Sequence, residues 1–119
     1  MNKEEHVIIG IIAFIIFTWL FNSLIKIPWN IIGYGVLAAL IGSIIPDILE
    51  PATNWMHRGL GHSKRALKFI GKIFGITALL GLLSIINAFF FFFYVIASFF
   101  LGYFAHLLAD STTPVGLPD

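Results

Sequence analysis

The chain has 119 residues, of which 59% are hydrophobic and 11% are charged, with a formal net charge of +1. Soluble domains carry roughly 25% charged residues, so the composition predicts an integral membrane protein with one small domain. The absence of cysteine excludes disulfide bonds and thiolate metal ligands.

The apolar stretches predict an all-α protein, a compact bundle of four transmembrane helices with a polar loop at 46–63. The first span covers 7–25, close to the roughly 20 residues that cross a bilayer. The segment Met1–His6 does not fit a signal peptide, so we expect this span to be a permanent helix. The second span, 31–45, is short, because its residues reach only about 22 Å in a helix.

The connection between these spans contains Pro28, which is expected to end the first helix. Trp19 and Trp29 are expected to lie at a membrane interface. Small residues in the second span favour close helix packing, and a homodimer through this glycine-rich face is kept as a candidate. These small residues are Gly33, Gly35, Gly42 and Ser43.

The third and fourth spans are predicted at 64–86 and 88–110. The run Phe89–Phe93 is interpreted as lipid-facing. Near the end of the fourth span, His106 and Asp110 are four residues apart and share a helix face. Ionisable residues at membrane depth are costly and usually mark function, although a buried hydrogen-bonded pair is the simpler alternative.

Four crossings bring most polar residues to one side of the membrane. His6 precedes the first span, the polar loop joins the second to the third, and Asp110 closes the fourth. All four histidines, all six carboxylates and six of the seven basic residues fall on this side, and Lys26 lies on the other. The basic excess predicts that this side, with both termini, is cytoplasmic in a multi-pass inner-membrane protein.

The polar loop at 46–63 offers further metal ligands in Asp47, His57 and His62, because imidazoles and carboxylates bind divalent cations. Asp47 follows a helix, where a carboxylate is unfavourable unless a cation compensates it. The alternatives are that His57 and His62 contact lipid headgroups and that Glu50 is a solvated acid.

Arg58 lies between the two loop histidines, where its guanidinium group can hold a phosphate in a bidentate manner. Ser63 and Lys64 follow closely and are further candidates for substrate binding. The alternatives are that Ser63 caps the third helix and that the basic residues only set the membrane orientation.

These residues follow an order along the chain that resembles a known family. The order is His6, then Pro46-Asp47-Ile48-Leu49-Glu50, then His57–Ser63, then Gly102–Gly116. It resembles the YdjM-like family of inner-membrane proteins, which are classed as membrane-bound metal-dependent hydrolases. Gly61 stands where a threonine is common in that family, and Glu50 is shifted by one position from the usual second acid.

The resemblance implies metal-dependent hydrolysis and adds His6 to the ligands. Six ligands exceed the three that a catalytic zinc usually takes, and they suit two metal ions that share a carboxylate. Zinc is favoured, with manganese or iron as alternatives. The predicted ligands are His6, Asp47, His57, His62, His106 and Asp110.

The predicted function is cleavage of a phosphoester or phospholipid-like substrate by metal-activated water at the cytoplasmic interface. Glu50 or Asp110 would orient the water, and Arg58, Ser63 and Lys64 would hold the substrate. The expected partners are membrane lipids and an amphiphilic small molecule, with no nucleic acid. The alternatives are a non-catalytic metal-binding or ion-handling protein and a haem-binding bundle. One-sided polarity argues against an ion path, and haem ligation does not need the carboxylates.

Overall fold

The computed structural model describes residues 3–49, 64–84 and 89–111, and these form four α-helices. Each helix is long and apolar enough to cross a membrane, as judged by length and composition. The predicted all-α bundle of four transmembrane helices is therefore confirmed. The helices are α1 (Lys3–Asn22), α2 (Trp29–Leu49), α3 (Lys64–Leu83) and α4 (Phe89–Ser111).

Helix α4 is the centre of the bundle, because it packs against α1, α2 and α3. Half of its residues are buried inside the protein, against about a tenth of those in α3. The large apolar side chains that remain exposed on all four helices, such as Ile12, Leu37, Leu79 and Phe92, are those expected to face lipid.

The backbones of α2 and α4 approach each other most closely at two glycines. A Cβ atom added to Gly42 would overlap the carbonyl oxygen of Phe99, and one added to Gly102 would overlap that of Ala39. The prediction of close packing at Gly42 is therefore confirmed. Gly35 is also closely packed, with an added Cβ 2.8 Å from the Tyr94 ring, whereas one added to Gly33 would meet no atom of the chain within 4 Å.

Away from these glycines, an aromatic core joins α1 to α4. The rings of Phe17 and Tyr94 stack with centroids 5.7 Å apart, and the Thr18 and Tyr94 hydroxyl groups share a 2.6 Å hydrogen bond. Phe90 belongs to this core and is 1% exposed, whereas Phe89 is exposed. The interpretation of Phe89–Phe93 as lipid-facing is wrong at Phe90, because a helix turns successive side chains by about 100°.

Helix α2 is longer than predicted, and Pro46 and Asp47 lie within it rather than in the loop. It starts earlier because the Pro28 carbonyl accepts hydrogen bonds from the Ile31 and Ile32 N–H groups. It continues through Pro46 because a proline near a helix end removes only one hydrogen bond, and its ring is buried. Its 21 residues reach about 31 Å, so α2 is not too short to cross a bilayer.

The first helix ends before the predicted residue. Helix α1 stops at Asn22, whose side-chain oxygen accepts a 2.9 Å hydrogen bond from the Ile27 N–H group. Pro28 therefore precedes α2 and does not end α1. Trp19 and Trp29 are both strongly exposed beside this turn, as residues at a membrane interface usually are.

Candidate metal centre

Three helices contribute polar groups to one buried point near the end of the bundle. His6 lies in the second turn of α1, Ser43 lies towards the end of α2, and His106 and Asp110 lie in the last turns of α4. Because α1 begins where α4 ends, residues separated by a hundred positions meet here. The prediction that His6, His106 and Asp110 fall on the same side is confirmed.

The carboxylate of Asp110 connects the two histidines. His6 Nε2 lies 3.1 Å from Asp110 Oδ1, and His106 Nε2 lies 3.4 Å from Asp110 Oδ2. The two imidazole rings stack with centroids 3.7 Å apart and planes 14° from parallel. All three residues are at most 3% exposed, so this group is removed from solvent and lipid.

The partner of His106 Nδ1 determines which nitrogen of this ring carries a hydrogen. His106 Nδ1 lies 2.7 Å from the Ser43 carbonyl oxygen. A carbonyl only accepts hydrogen bonds, so Nδ1 carries the hydrogen and donates it. In a neutral imidazole, Nε2 then has a lone pair, which here faces the Asp110 carboxylate. Two such groups repel each other unless a proton or a metal cation lies between them.

Two distances in this cluster, each to a different oxygen of Asp110, match the spacing of ligand atoms around a metal ion. Zinc–nitrogen bonds of about 2.0–2.1 Å in a tetrahedral site place neighbouring ligand atoms about 3.3 Å apart. The two nitrogen–oxygen distances of 3.1 and 3.4 Å lie on either side of that value. One ligand atom from each of the three residues lies within 4.8 Å of the others. His6 Nδ1 is also buried without a hydrogen-bond partner in the described part of the chain.

The close contact of α2 and α4 at Gly42 and Gly102 explains why His106 reaches the Ser43 carbonyl oxygen. Gly102 is one helical turn before His106, and Gly42 immediately precedes Ser43. The close approach of the two backbones therefore brings His106 within reach of α2. The side-chain hydroxyl of Ser43 donates to the Leu40 carbonyl oxygen at 2.8 Å, so Ser43 serves His106 through its main chain.

Sequence reasoning did not identify the Ser43 carbonyl group as part of the site, because a main-chain acceptor has no residue signature. The available signal was indirect: Gly42 and Gly102 each lie within a turn of a polar position that faces another helix. Such pairs of glycines mark close approach of backbones in membrane proteins.

Several predicted site residues lie outside the part of the chain that the structure describes. Asp47 is in α2, but its side chain is not among those described. Lys64 is exposed at the start of α3. Helix α3 begins at the same end of the bundle as the histidines, because Ile70 packs with Tyr103 and Leu107. The predicted residues outside the described ranges are Glu50, His57, Arg58, His62 and Ser63.

The fold and this buried group define a small multi-pass membrane protein with a histidine–aspartate cluster near one end of its helices. The sequence matches the profile of the family described as YdjM inner membrane protein over residues 1–118. The chain therefore belongs to this family, as the resemblance predicted. Comparisons with curated proteins and with solved structures gave no match.

Proposed function

We propose that this protein is a membrane-embedded metal-dependent hydrolase whose metal centre is built on His6, His106 and Asp110. The observation that carries the proposal is the buried cluster, in which His106 Nε2 lies 3.4 Å from Asp110 Oδ2 while His106 Nδ1 lies 2.7 Å from the Ser43 carbonyl oxygen. Charged groups at this depth are costly without a compensating partner, and a divalent cation compensates a carboxylate between two imidazoles.

The ligand count favours zinc, with manganese or iron as alternatives. Two histidines and one carboxylate are the three protein ligands of several catalytic zinc sites, which keep a further position open. A second ion would take Asp47, His57 and His62 from the end of α2 and the segment before α3. Asp110 would then be the carboxylate shared by the two ions.

A bound divalent cation would supply Lewis acidity towards an ester oxygen and lower the pKa of a water molecule. The protein's own residues hold and orient the reactants. The Ser43 carbonyl fixes the orientation of the His106 ring. Glu50 would orient the attacking water, while Arg58, Ser63 and Lys64 would hold the phosphate group.

The surroundings of the cluster favour an amphiphilic substrate. A groove of about 340 Å³ runs between α1 and α4 beside the cluster, and every lining residue is apolar. A hydrocarbon chain suits this lining, and a phosphoester headgroup suits the basic residues at the same end of the bundle. By the positive-inside rule, we place this end and both termini at the cytoplasmic face. The lining residues are Ile9, Ala13, Leu101, Phe104, Ala105, Leu108 and Ala109.

The first test is the metal content of detergent-purified protein, measured by inductively coupled plasma mass spectrometry. The wild type should hold one or two zinc or manganese ions, and a double variant with His106→Ala and Asp110→Ala should hold none while remaining folded. Glu4→Gln is the matched control, because it alters an exposed carboxylate two residues from His6. No bound metal in the wild type after loading would remove the basis of the proposal.

The second test is a hydrolysis screen with metal-loaded protein in mixed micelles. We expect release of a phosphorylated headgroup, or of another phosphoester product, from phospholipids by the wild type and not by the double variant. Cleavage of carboxylic esters without cleavage of phosphoesters would refute the phosphate part of the proposal. It would leave the metal-dependent hydrolase itself in place.

Complete burial favours a second candidate, a non-catalytic metal site that holds α1 against α4. Structural metal sites are closed, whereas catalytic sites keep a position for water or substrate. In this case the wild type would bind metal and unfold at a higher temperature with it, but would hydrolyse no ester in the screen. Both candidates predict metal binding, and only the first predicts ester hydrolysis.

A further inference from the structure

The end of the bundle opposite the histidine–aspartate cluster contains a second cavity, of about 300 Å³, between α1, the α1–α2 turn and the start of α2. Its inner walls are apolar and include Phe14, Ile15, Ile27 and Ile32. Its polar lining residues include Lys26 and Asn22. A volume of this size is at the lower limit for binding sites of small molecules.

Lys26 is the only charged residue of the sequence at this end. No charged residue lies between Glu5 and Lys26, between Lys26 and Asp47, or between Lys72 and Asp110. Among the residues that the structure describes, Lys26 makes no ion pair. The sequence offers no carboxylate here, so an anion for this ammonium group must come from outside the chain.

The local backbone adds to the positive potential. Lys26 lies just before the first turn of α2, where the aligned peptide dipoles favour an anion. The negative end of α1 lies at the same turn, but its last carbonyl groups are engaged in hydrogen bonds. The carbonyl oxygens of Trp19, Leu20 and Phe21 accept hydrogen bonds from residues 23–25.

Two tryptophans indicate the depth at which the cavity lies in the membrane. Trp19 and Trp29 both line it and are strongly exposed. Tryptophan side chains prefer the headgroup region of a bilayer. The ammonium group therefore lies near the phosphate layer, and the apolar walls extend from there towards the hydrocarbon region.

From these observations we infer that the cavity binds one phospholipid, with its phosphate on Lys26 and part of one acyl chain between Ile15 and Ile32. The charge selects the phosphate, and the apolar walls select the hydrocarbon. This site is separate from the metal centre, and it does not depend on hydrolase activity. A bound lipid here would fill the space between α1, the α1–α2 turn and α2, at the end of the bundle opposite the proposed metal centre.

Native mass spectrometry of the protein in detergent tests the inference. The probe is phosphatidylglycerol with two oleoyl chains, and the diacylglycerol with the same chains is the comparison without phosphate. We expect one phosphatidylglycerol to be retained at detergent conditions that remove the diacylglycerol. Equal retention of both would overturn the role of Lys26 as a phosphate contact.

Two pairs of variants locate the bound lipid. Lys26→Gln should weaken binding by about fivefold or more, because a single lysine near an anionic headgroup contributes about that factor. Lys72→Gln, which removes an exposed lysine in the half of α3 nearer the other end of the bundle, should bind as the wild type does. Ile32→Trp should fill the cavity and abolish retention, whereas Leu37→Trp on the lipid-facing side of α2 should not.

All four variants are compared with the wild type by circular dichroism and size-exclusion chromatography, so a misfolded protein is recognised. Equal weakening by Lys26→Gln and Lys72→Gln would show attraction to the overall charge and refute a specific site. Retention by folded Ile32→Trp would place the lipid elsewhere. Metal content should be unchanged in every variant.

Discussion

Replacing Gly102 by alanine should open the contact between α2 and α4 and weaken metal binding at the proposed centre, which it does not touch directly. The added Cβ would lie 2.9 Å from both the Ala39 carbonyl carbon and the Ser43 nitrogen, and it would overlap the Ala39 oxygen. Ordinary contacts between carbon atoms are about 3.5–4.0 Å, so the helices must separate by about 1 Å. These neighbours are main-chain atoms and cannot rotate away.

The separation acts directly on the hydrogen bond that orients His106. Its length would increase from 2.7 Å to about 3.7 Å, beyond the range of a hydrogen bond. Overpacking costs about 1–3 kcal/mol, and loss of this bond adds about 1 kcal/mol. We therefore expect Gly102→Ala to lower the free energy of unfolding by about 2–4 kcal/mol and to reduce the bound metal.

The control is Gly75→Ala in α3, where an added Cβ would meet no atom within 4 Å. Alanine favours a helix over glycine by about 1 kcal/mol, so this variant should be as stable as the wild type or more so. Unfolding in sodium dodecyl sulfate measures stability, and mass spectrometry measures metal. Wild-type stability and metal content in Gly102→Ala would refute this account of the helix contact.

Two further pairs of variants test the aromatic core. Thr18→Val should lower the free energy of unfolding by about 1–3 kcal/mol, because it leaves the buried Tyr94 hydroxyl without its 2.6 Å partner. Thr77→Val should be nearly neutral, because the Thr77 hydroxyl bonds only to the backbone of its own helix. Phe90→Ala should lower the free energy of unfolding by at least about 2 kcal/mol, because it leaves a cavity. Phe89→Ala should lower it much less, because Phe89 is at a lipid-facing position. Equal effects within either pair would contradict the burial pattern, and both are measured by the same unfolding assay.

The number of helices and the side on which polar residues meet could be predicted from sequence. Long apolar stretches must form helices in a bilayer, because every backbone polar group needs a partner there. An even number of crossings then returns His6 and Asp110 to the same side. Neither inference requires knowledge of how any side chain packs.

The contacts within the site could not be predicted in the same way. The sequence shows that His106 and Asp110 share a helix face, but not that His6 meets the same carboxylate. The apolar pattern predicts the end of the second span just before Pro46, and proline usually interrupts helices in water. Within a membrane bundle, the buried proline ring and its neighbouring helices allow the helix to continue. Helix ends are therefore less predictable here than the spans themselves.

The cluster can be held together in two ways, and they differ in charge. Without a metal ion, a proton on one of the histidines or on Asp110 itself must offset the charge of this carboxyl group. With a metal ion, both histidines are neutral and donate lone pairs. In the metal-bound arrangement, the hydrogen of the His106 ring is on Nδ1, because the Ser43 carbonyl oxygen requires a donor there. Nε2 then binds the ion.

Asp110→Asn separates these two arrangements. The asparagine amide can donate a hydrogen bond to His106 Nε2, and its oxygen can accept one from His6 Nε2, with both histidines neutral. If the cluster is a metal centre, this variant should bind no metal and should be at least as stable as the metal-free wild type. Metal content and unfolding, each measured with and without a chelator, give the comparison. A metal-free wild type that is more stable than the variant by 1 kcal/mol or more, and unchanged by chelator, would establish the proton-linked pair instead.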